Sequence, residues 1–215
     1  MAKENQLLHL PIQVGSAQGQ SKSKYQLGKF IKTMKSSYQG RGSTWFDELD
    51  DNLDKWPHWT VITNKDNEDI IAFSAVQTHN FPENIVRVFS RYFISPKYRQ
   101  HAGWGGYRRA IRDDVETGYG HNFSVIFFKD QMNYITENLD PSHIIFSKEL
   151  SRRRFLIKYI ADNLNKECGT NFKMLDGLYQ TYPGAPDDEG QWQVVAAHQV
   201  KEGYPFNLSR KFLHH

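Results

Sequence analysis

The stretch Ile94-Ser95-Pro96-Lys97-Tyr98-Arg99-Gln100-His101-Ala102-Gly103-Trp104-Gly105-Gly106-Tyr107-Arg108-Arg109-Ala110-Ile111 decides how this chain is read. Before it, residues 85–94 hold β-branched Val86, Val88 and Ile94 and aromatic Phe89, Tyr92 and Phe93, which predicts a strand. Ser95-Pro96 ends it. After it, Trp104, Tyr107, Ala110, Ile111 and Val115 have helical spacing, and Gly118 and Gly120 stop that helix. Between the two, Gln100 to Gly105 spells Q-x-x-G-x-G. A strand must turn at once into a helix there. Gly103, Gly105 and Gly106 permit positive φ and let another molecule touch the backbone. The first N–H groups of a helix have no internal partners, and with the helix dipole they suit a phosphate or pyrophosphate. Arg99, Arg108 and Arg109 add positive charge.

Working outward, residues 123–128 (Phe-Ser-Val-Ile-Phe-Phe) form a nearly continuous apolar run, expected as a strand buried on both faces and parallel to 85–94. Strand, loop, helix and strand over 85–128 then make one βαβ unit with a right-handed crossover. Upstream, 59–63 and 70–79 read as a hairpin across the polar turn 64–69, and Pro82-Glu83-Asn84 turns the chain into 85–94, which completes an antiparallel meander. Residues 24–37 have helical spacing through Tyr25, Leu27, Phe30, Ile31 and Met34, and a second helix follows Ser43-Thr44. Its face of Asp47, Glu48, Asp50, Asp51 and Asp54 lacks the calcium-loop pattern and reads as a solvated face. Downstream, 132–139 suggests a short helix, 143–146 either helix or strand, and 150–164 an amphipathic helix closed by Gly169. Residues 172–182 and 191–200 read as two strands.

Here the chain resembles a family. A strand, Pro96-Lys97-Tyr98-Arg99, then Gln100-x-x-Gly103-x-Gly105 and a helix is similar to motif A of the GNAT superfamily of N-acetyltransferases. The resemblance covers about 25–200, and its specific part is 85–128. It implies a mixed α/β (α+β) fold: a central mixed sheet, an antiparallel meander plus one βαβ unit with a splayed parallel pair, flanked by helices. It also implies acetyl-CoA, or another acyl-CoA, as co-substrate for an amine acceptor. The pyrophosphate would lie on the amides of His101, Ala102, Gly103, Trp104, Gly105 and Gly106, with Gln100 opening the motif. The pantetheine arm would pair with the edge near Phe93, Ile94 and Ser95. A Tyr past the splayed strand often serves the family as acid, and Tyr134 matches, with Tyr179 and Tyr182 as competitors. Many members carry a Glu base on the motif strand. This strand offers Arg87, Ser90, Arg91 and Tyr92 but no carboxylate. His79, at the end of the preceding strand, is the substitute because its pKa suits neutral pH. Glu149 is an outside candidate. Arg152 and Arg153 are candidates for the 3′-phosphate.

Composition sets the frame. The 215 residues fit one large domain, and a net charge of +3 is too mild to announce a nucleic-acid binder by itself. One cysteine, Cys168, excludes an internal disulfide and a cysteine-rich metal site. No histidine pair has zinc spacing, so no metal is expected. Residues 13–24, rich in Gly, Ser, Gln and Lys, read as a flexible lead-in. Seven basic residues against Glu4 over 1–41 make a local balance of +6. The expected layout is a flexible basic arm over 1–24, one acyltransferase domain over 25–200 and a tail over 201–215. No run is apolar enough to span a membrane, and a cytoplasmic protein is expected. The alternative function is a non-catalytic binding or assembly protein on the same fold, contacting nucleic acid through Lys148, Arg152, Arg153, Arg154 and Lys158 and the arm.

Overall fold

The computed structural model describes residues 11–18, 27–32, 56–95, 123–149, 154–175, 179–180 and 192–203. The strands are β1 (Ile12–Gln18), β2 (His58–Asn64), β3 (Ile70–Phe81), β4 (Ile85–Ile94), β5 (His143–Glu149), β6 (Lys173–Met174), β7 (Tyr179–Gln180) and β8 (Trp192–Gln199). Two helices are α1 (Phe123–Leu139) and α2 (Arg154–Cys168), and residues 27–32 are also helical. The hydrogen-bonded strand order is β1-β2-β3-β4-β5-β8-β6, with β7 beside β8. Antiparallel pairs flank one parallel pair, β4 with β5, so the class is mixed α+β as expected.

The chain divides into two compact units, Leu10–Gln77 with Ser90–Tyr98, and Met1–His9 with Thr78–Phe89 and Arg99–His215. In the first, β1 pairs with β2 from Ile12↔Asn64 to Gln18↔His58. Residues 12–18 therefore form a strand, although their Gly, Ser and Gln content suggested a flexible lead-in. Backbone pairing to β2 holds them, while their own side chains are mostly exposed. The 65–69 turn is made by asparagines. The Asn64 Oδ1 accepts from the Asp66 N–H at 2.8 Å, the Asn67 Oδ1 from the Asp69 N–H at 3.1 Å, and Glu68 takes φ 58°. The core of this unit packs Trp56, Trp59, Ile62, Ile71 and Phe73 with Leu27 and Ile31, all fully or almost fully buried. Phe30 meets Phe73 edge-on at 6.3 Å and Trp59 lies 5.9 Å from it. Each such side chain contributes about 1.5–3 kcal/mol when fully buried.

In the second unit, the run 123–128 is the first third of α1 and not a strand. A short apolar run does not reveal its own period; length arbitrates. The pattern continues without a breaker through Met132, Tyr134, Ile135 and Leu139, and burial of Phe127, Gln131 and Ile135 at steps of four follows a helix face. The helix stops at Asp140, which takes φ 46°, before Pro141. The parallel partner of β4 is thus β5, the segment 143–149. α2 buries Ile157, Ile160, Ala161 and Leu164 on one face, as its periodicity predicts. Gly169, at φ 67°, ends it in the left-handed region. Asn165 then clamps the chain beyond the helix: its Oδ1 accepts from the Phe172 N–H at 2.7 Å and its Nδ2 donates to the Phe172 C=O at 3.0 Å. Phe172 stacks on Phe146 at 4.8 Å, and Phe128 of α1 meets Phe146 edge-on at 5.2 Å, so one β5 aromatic joins helix and sheet.

Candidate functional site

The site begins where β4 and β5 stop pairing. Their parallel ladder runs Ile85↔His143, Val86↔Ile144, Arg87↔Ile145 and Val88↔Phe146 among the described residues, while β4 continues to Ile94 and β5 to Glu149. On its other side β5 pairs with β8, and that ladder shifts register between Phe146 and Ser147. A bulge bends a strand and increases its twist. The last described pair of the parallel ladder is Val88↔Phe146, and the register shift against β8 follows it at once, with Val195 of β8 as the extra residue.

β4 keeps to β3 to its end, where the Ser95 N–H donates to the Ile71 C=O at 2.8 Å. In a strand, alternate residues turn their amides to opposite neighbours. Ser95 and Phe93 therefore turn their amides to β3, and Tyr92 and Ile94 turn theirs the other way. Of the three residues expected to receive an extended arm, Ile94 alone has its amide turned that way. Gln100, His101, Ala102, Gly103, Trp104, Gly105 and Gly106, like Glu149's neighbours Arg152 and Arg153, lie outside the described residues.

His79 sits near the end of β3, exposed. The pair Ser95–Ile71 and the turn Pro82–Asn84 both centre the β3–β4 hairpin on Glu83, so His79 stands across from Arg87. Arg87 is buried and is level with Ile145, one pair before the ladder ends. Partial burial and the Arg87 charge hold the His79 imidazole below the ordinary histidine value of 6.5, so it is neutral near pH 7 and able to accept a proton. The sequence contained the clue to this pair, since 79 and 87 are equidistant from Glu83. Tyr134 lies inside α1, which leads into β5; it does not follow the parallel strand, because the strand expected at 123–128 is helical. Its phenol is half-buried and burial raises its pKa, so it keeps its proton.

Two further histidines lie at the opposite end of β5. Ser142 donates its backbone N–H to the Asn84 C=O at 2.8 Å and its hydroxyl to the Glu83 C=O. With that proton committed, the Ser142 Oγ can only accept from the His143 Nδ1, 3.2 Å away, which assigns the Nδ1–H tautomer. Burial lowers the pKa of His143, and burial together with His143 lowers that of His198. His198 holds Asn171 Oδ1 at 2.7 Å, and its ring lies tilted against Phe172 with centroids 5.1 Å apart. It borders an open polar crevice of about 450 Å³ lined by Gly169, Asn171, Gln199, Val200, Glu202 and Gly203. Burial pushes the Cys168 thiol up, offset in part by Lys129 and reinforced by Glu167, so it is no activated nucleophile. Among the described residues no three His, Cys, Asp or Glu side chains gather as metal ligands, and no helix is long and apolar enough to cross a membrane.

The chain matches no protein-family model and no curated protein. It is similar to solved structures. One is a protein assigned to the GNAT family of acetyltransferases from Desulfovibrio desulfuricans: 12% identity, 88% of this chain and 100% of that one covered, TM-score 0.46. Another is the GNAT-family acetyltransferase from Streptococcus pneumoniae, at 8% identity, 88% and 100% coverage and TM-score 0.41. A third is spermidine N-acetyltransferase from Vibrio cholerae in complex with CoA and spermine, at 13% identity, 87% and 95% coverage and TM-score 0.38.

Proposed function

We propose that this protein is an acyl-CoA-dependent N-acyltransferase, with acetyl-CoA as donor and a primary amine as acceptor, on a GNAT-like fold. The observation that carries the reading is the parallel ladder whose last described pair is Val88↔Phe146 while β4 runs on to Ile94, with the amides of Tyr92 and Ile94 turned away from β3. An extended arm rich in amides, such as pantetheine, is the ligand such an edge suits. The motif Gln100-x-x-Gly103-x-Gly105 directly follows this strand and is the proposed seat of the pyrophosphate.

In this reading the acceptor nitrogen attacks the thioester carbonyl. The C–N bond forms, the C–S bond breaks and the thiolate leaves. His79 is the proposed acceptor of the proton of the attacking amine, and solvent supplies the proton that the thiolate takes up. A backbone N–H of the β4 edge is the proposed holder of the developing oxyanion. The direct test is isothermal titration with acetyl-CoA followed by a thiol-release assay over a panel of amines. Binding with release of free CoA is expected; no binding at millimolar acetyl-CoA by the folded protein overturns the reading.

A further inference from the structure

We infer that Arg87 acts through His79: its fixed charge, set across the hairpin, keeps the imidazole free of a proton and ready for the acceptor amine, which makes Arg87 a positioning residue. The inference rests on the acyl-transfer reading above and goes further by naming what prepares the base. Three observations carry it. The hairpin is centred on Glu83 from both ends, by the turn Pro82–Asn84 and by the Ser95–Ile71 bond, so 79 and 87 are cross-strand partners on one face of the sheet. Such partners have Cβ atoms about 4.5–5.5 Å apart. Arg87 is 8% exposed whereas His79 is exposed, so the charge is fixed in the sheet and the imidazole is open to an incoming molecule. Arg87 is level with Ile145, one pair before the last described pair of the parallel ladder, which ties the hairpin partners to the contact of β4 with β5.

The other groups around His79 do not supply this effect. β2 pairs with β3 only as far as His58↔Val76, so its end lies three residues short of His79. His143 of β5 is beside Ile85, one row from Arg87 on the same face, and burial keeps it neutral. Glu83, in the turn, has the opposite sign and would raise the basicity of an imidazole near it. Arg87 is the charge that acts on His79 among the described residues, and it acts in the same direction as burial. A guanidinium does not lose its proton in this range, so the influence is constant across the working pH.

The test is a carbon–proton NMR titration of the His79 ring in the intact protein and in Arg87→Lys and Arg87→Gln, alongside the pH dependence of kcat/KM. The Gln variant is expected to titrate at higher pH than the native protein, and the acidic limb of its rate profile to move up with it. The Lys variant should keep the lowered titration. If Arg87→Gln does not fold, Arg87→Met, which keeps an apolar stem in the sheet without the charge, decides by the same titration. A His79 titration indifferent to the loss of the charge overturns the inference. A titration that moves while the rate profile stays in place also overturns it, since the histidine would then not be the base. A native protein that transfers no acyl group at any pH sinks the acyl-transfer reading instead, and the titration alone still decides whether Arg87 governs His79.

Discussion

At the scale of single residues, the histidines divide by what surrounds them. His79 is exposed and faces a buried cation; His143 is buried and bonded to Ser142. Replacing His79 with Gln removes the proposed base and should cut kcat/KM about 10²–10⁴-fold with little change in acetyl-CoA affinity, as read by steady-state kinetics beside direct binding. A rate within threefold of native would dismiss His79. His143 and His198 make a prediction about stability. Both have folded pKa values below the unfolded value of 6.5, so the unfolded chain binds protons more readily. Their neutral forms support the fold fully above pH 6.5, and that support is lost as pH falls from 6.5 through the folded values. Urea midpoints followed from pH 8 to 5 should fall over this window, and His143→Gln should flatten the fall. An unchanged slope in the variant would place the acid sensitivity elsewhere. The neighbouring Ser142 offers a cleaner cut: Ser142→Ala removes the acceptor for the His143 Nδ1–H and should cost about 1–3 kcal/mol, read from the same midpoints.

At the scale of elements, legibility followed how locally each element is determined. The strand at 85–94 was readable to the residue because Asn84 and Ser95-Pro96 bracket a β-branched and aromatic run. β3 and α2 were readable because their patterns outlast one turn. Phe123–Phe128 misled because six apolar residues fit either period, and only the continuation to Leu139 and the pairing of 143–149 with β4 distinguish them. β1 was hidden because its pairing with β2, which lies far along the chain, owes nothing to its own composition. The candidate site was half legible. His79 could be named from its side-chain chemistry, but its placement across from Arg87 is a matter of register. Which β4 amides face away from β3 is likewise a matter of register, and it yields a prediction at this scale. With acetyl-CoA bound, amide hydrogen exchange should slow at Tyr92 and Ile94, while Phe93 and Ser95, already committed to β3, should barely change. Equal protection of odd and even residues would count against an arm laid along this edge.

At the scale of the whole molecule, the two readings of the sequence compete for one property, affinity for a polyanion. A net charge of +3 with a basic excess over 1–41 and 148–158 would attract either the phosphates of CoA or a nucleic-acid backbone, so salt sensitivity by itself separates nothing. The arm of the carrier does. It has no counterpart in a nucleic acid, and the β4 edge has amides to offer it. A ligand at one hundred times its Kd stabilises the folded state by about 2.7 kcal/mol, which for a chain of this size is roughly 5–11 °C in Tm. Acetyl-CoA should produce that shift in a thermal melt, and adenosine 3′,5′-bisphosphate, which carries phosphates but no arm, should produce much less. Gly103→Asp and Gly105→Asp, which bring a carboxylate beside the proposed pyrophosphate seat, should abolish the acetyl-CoA shift without lowering the melting point of the free protein by more than about 1–2 kcal/mol in equivalent stability. A short DNA or RNA duplex that stabilises the protein as much as acetyl-CoA does, with an effect that collapses between about 50 and 200 mM salt, would mark the basic surface as the functional one. In that case both glycine variants would respond like the native chain, and the acyltransferase reading would give way to the binding protein.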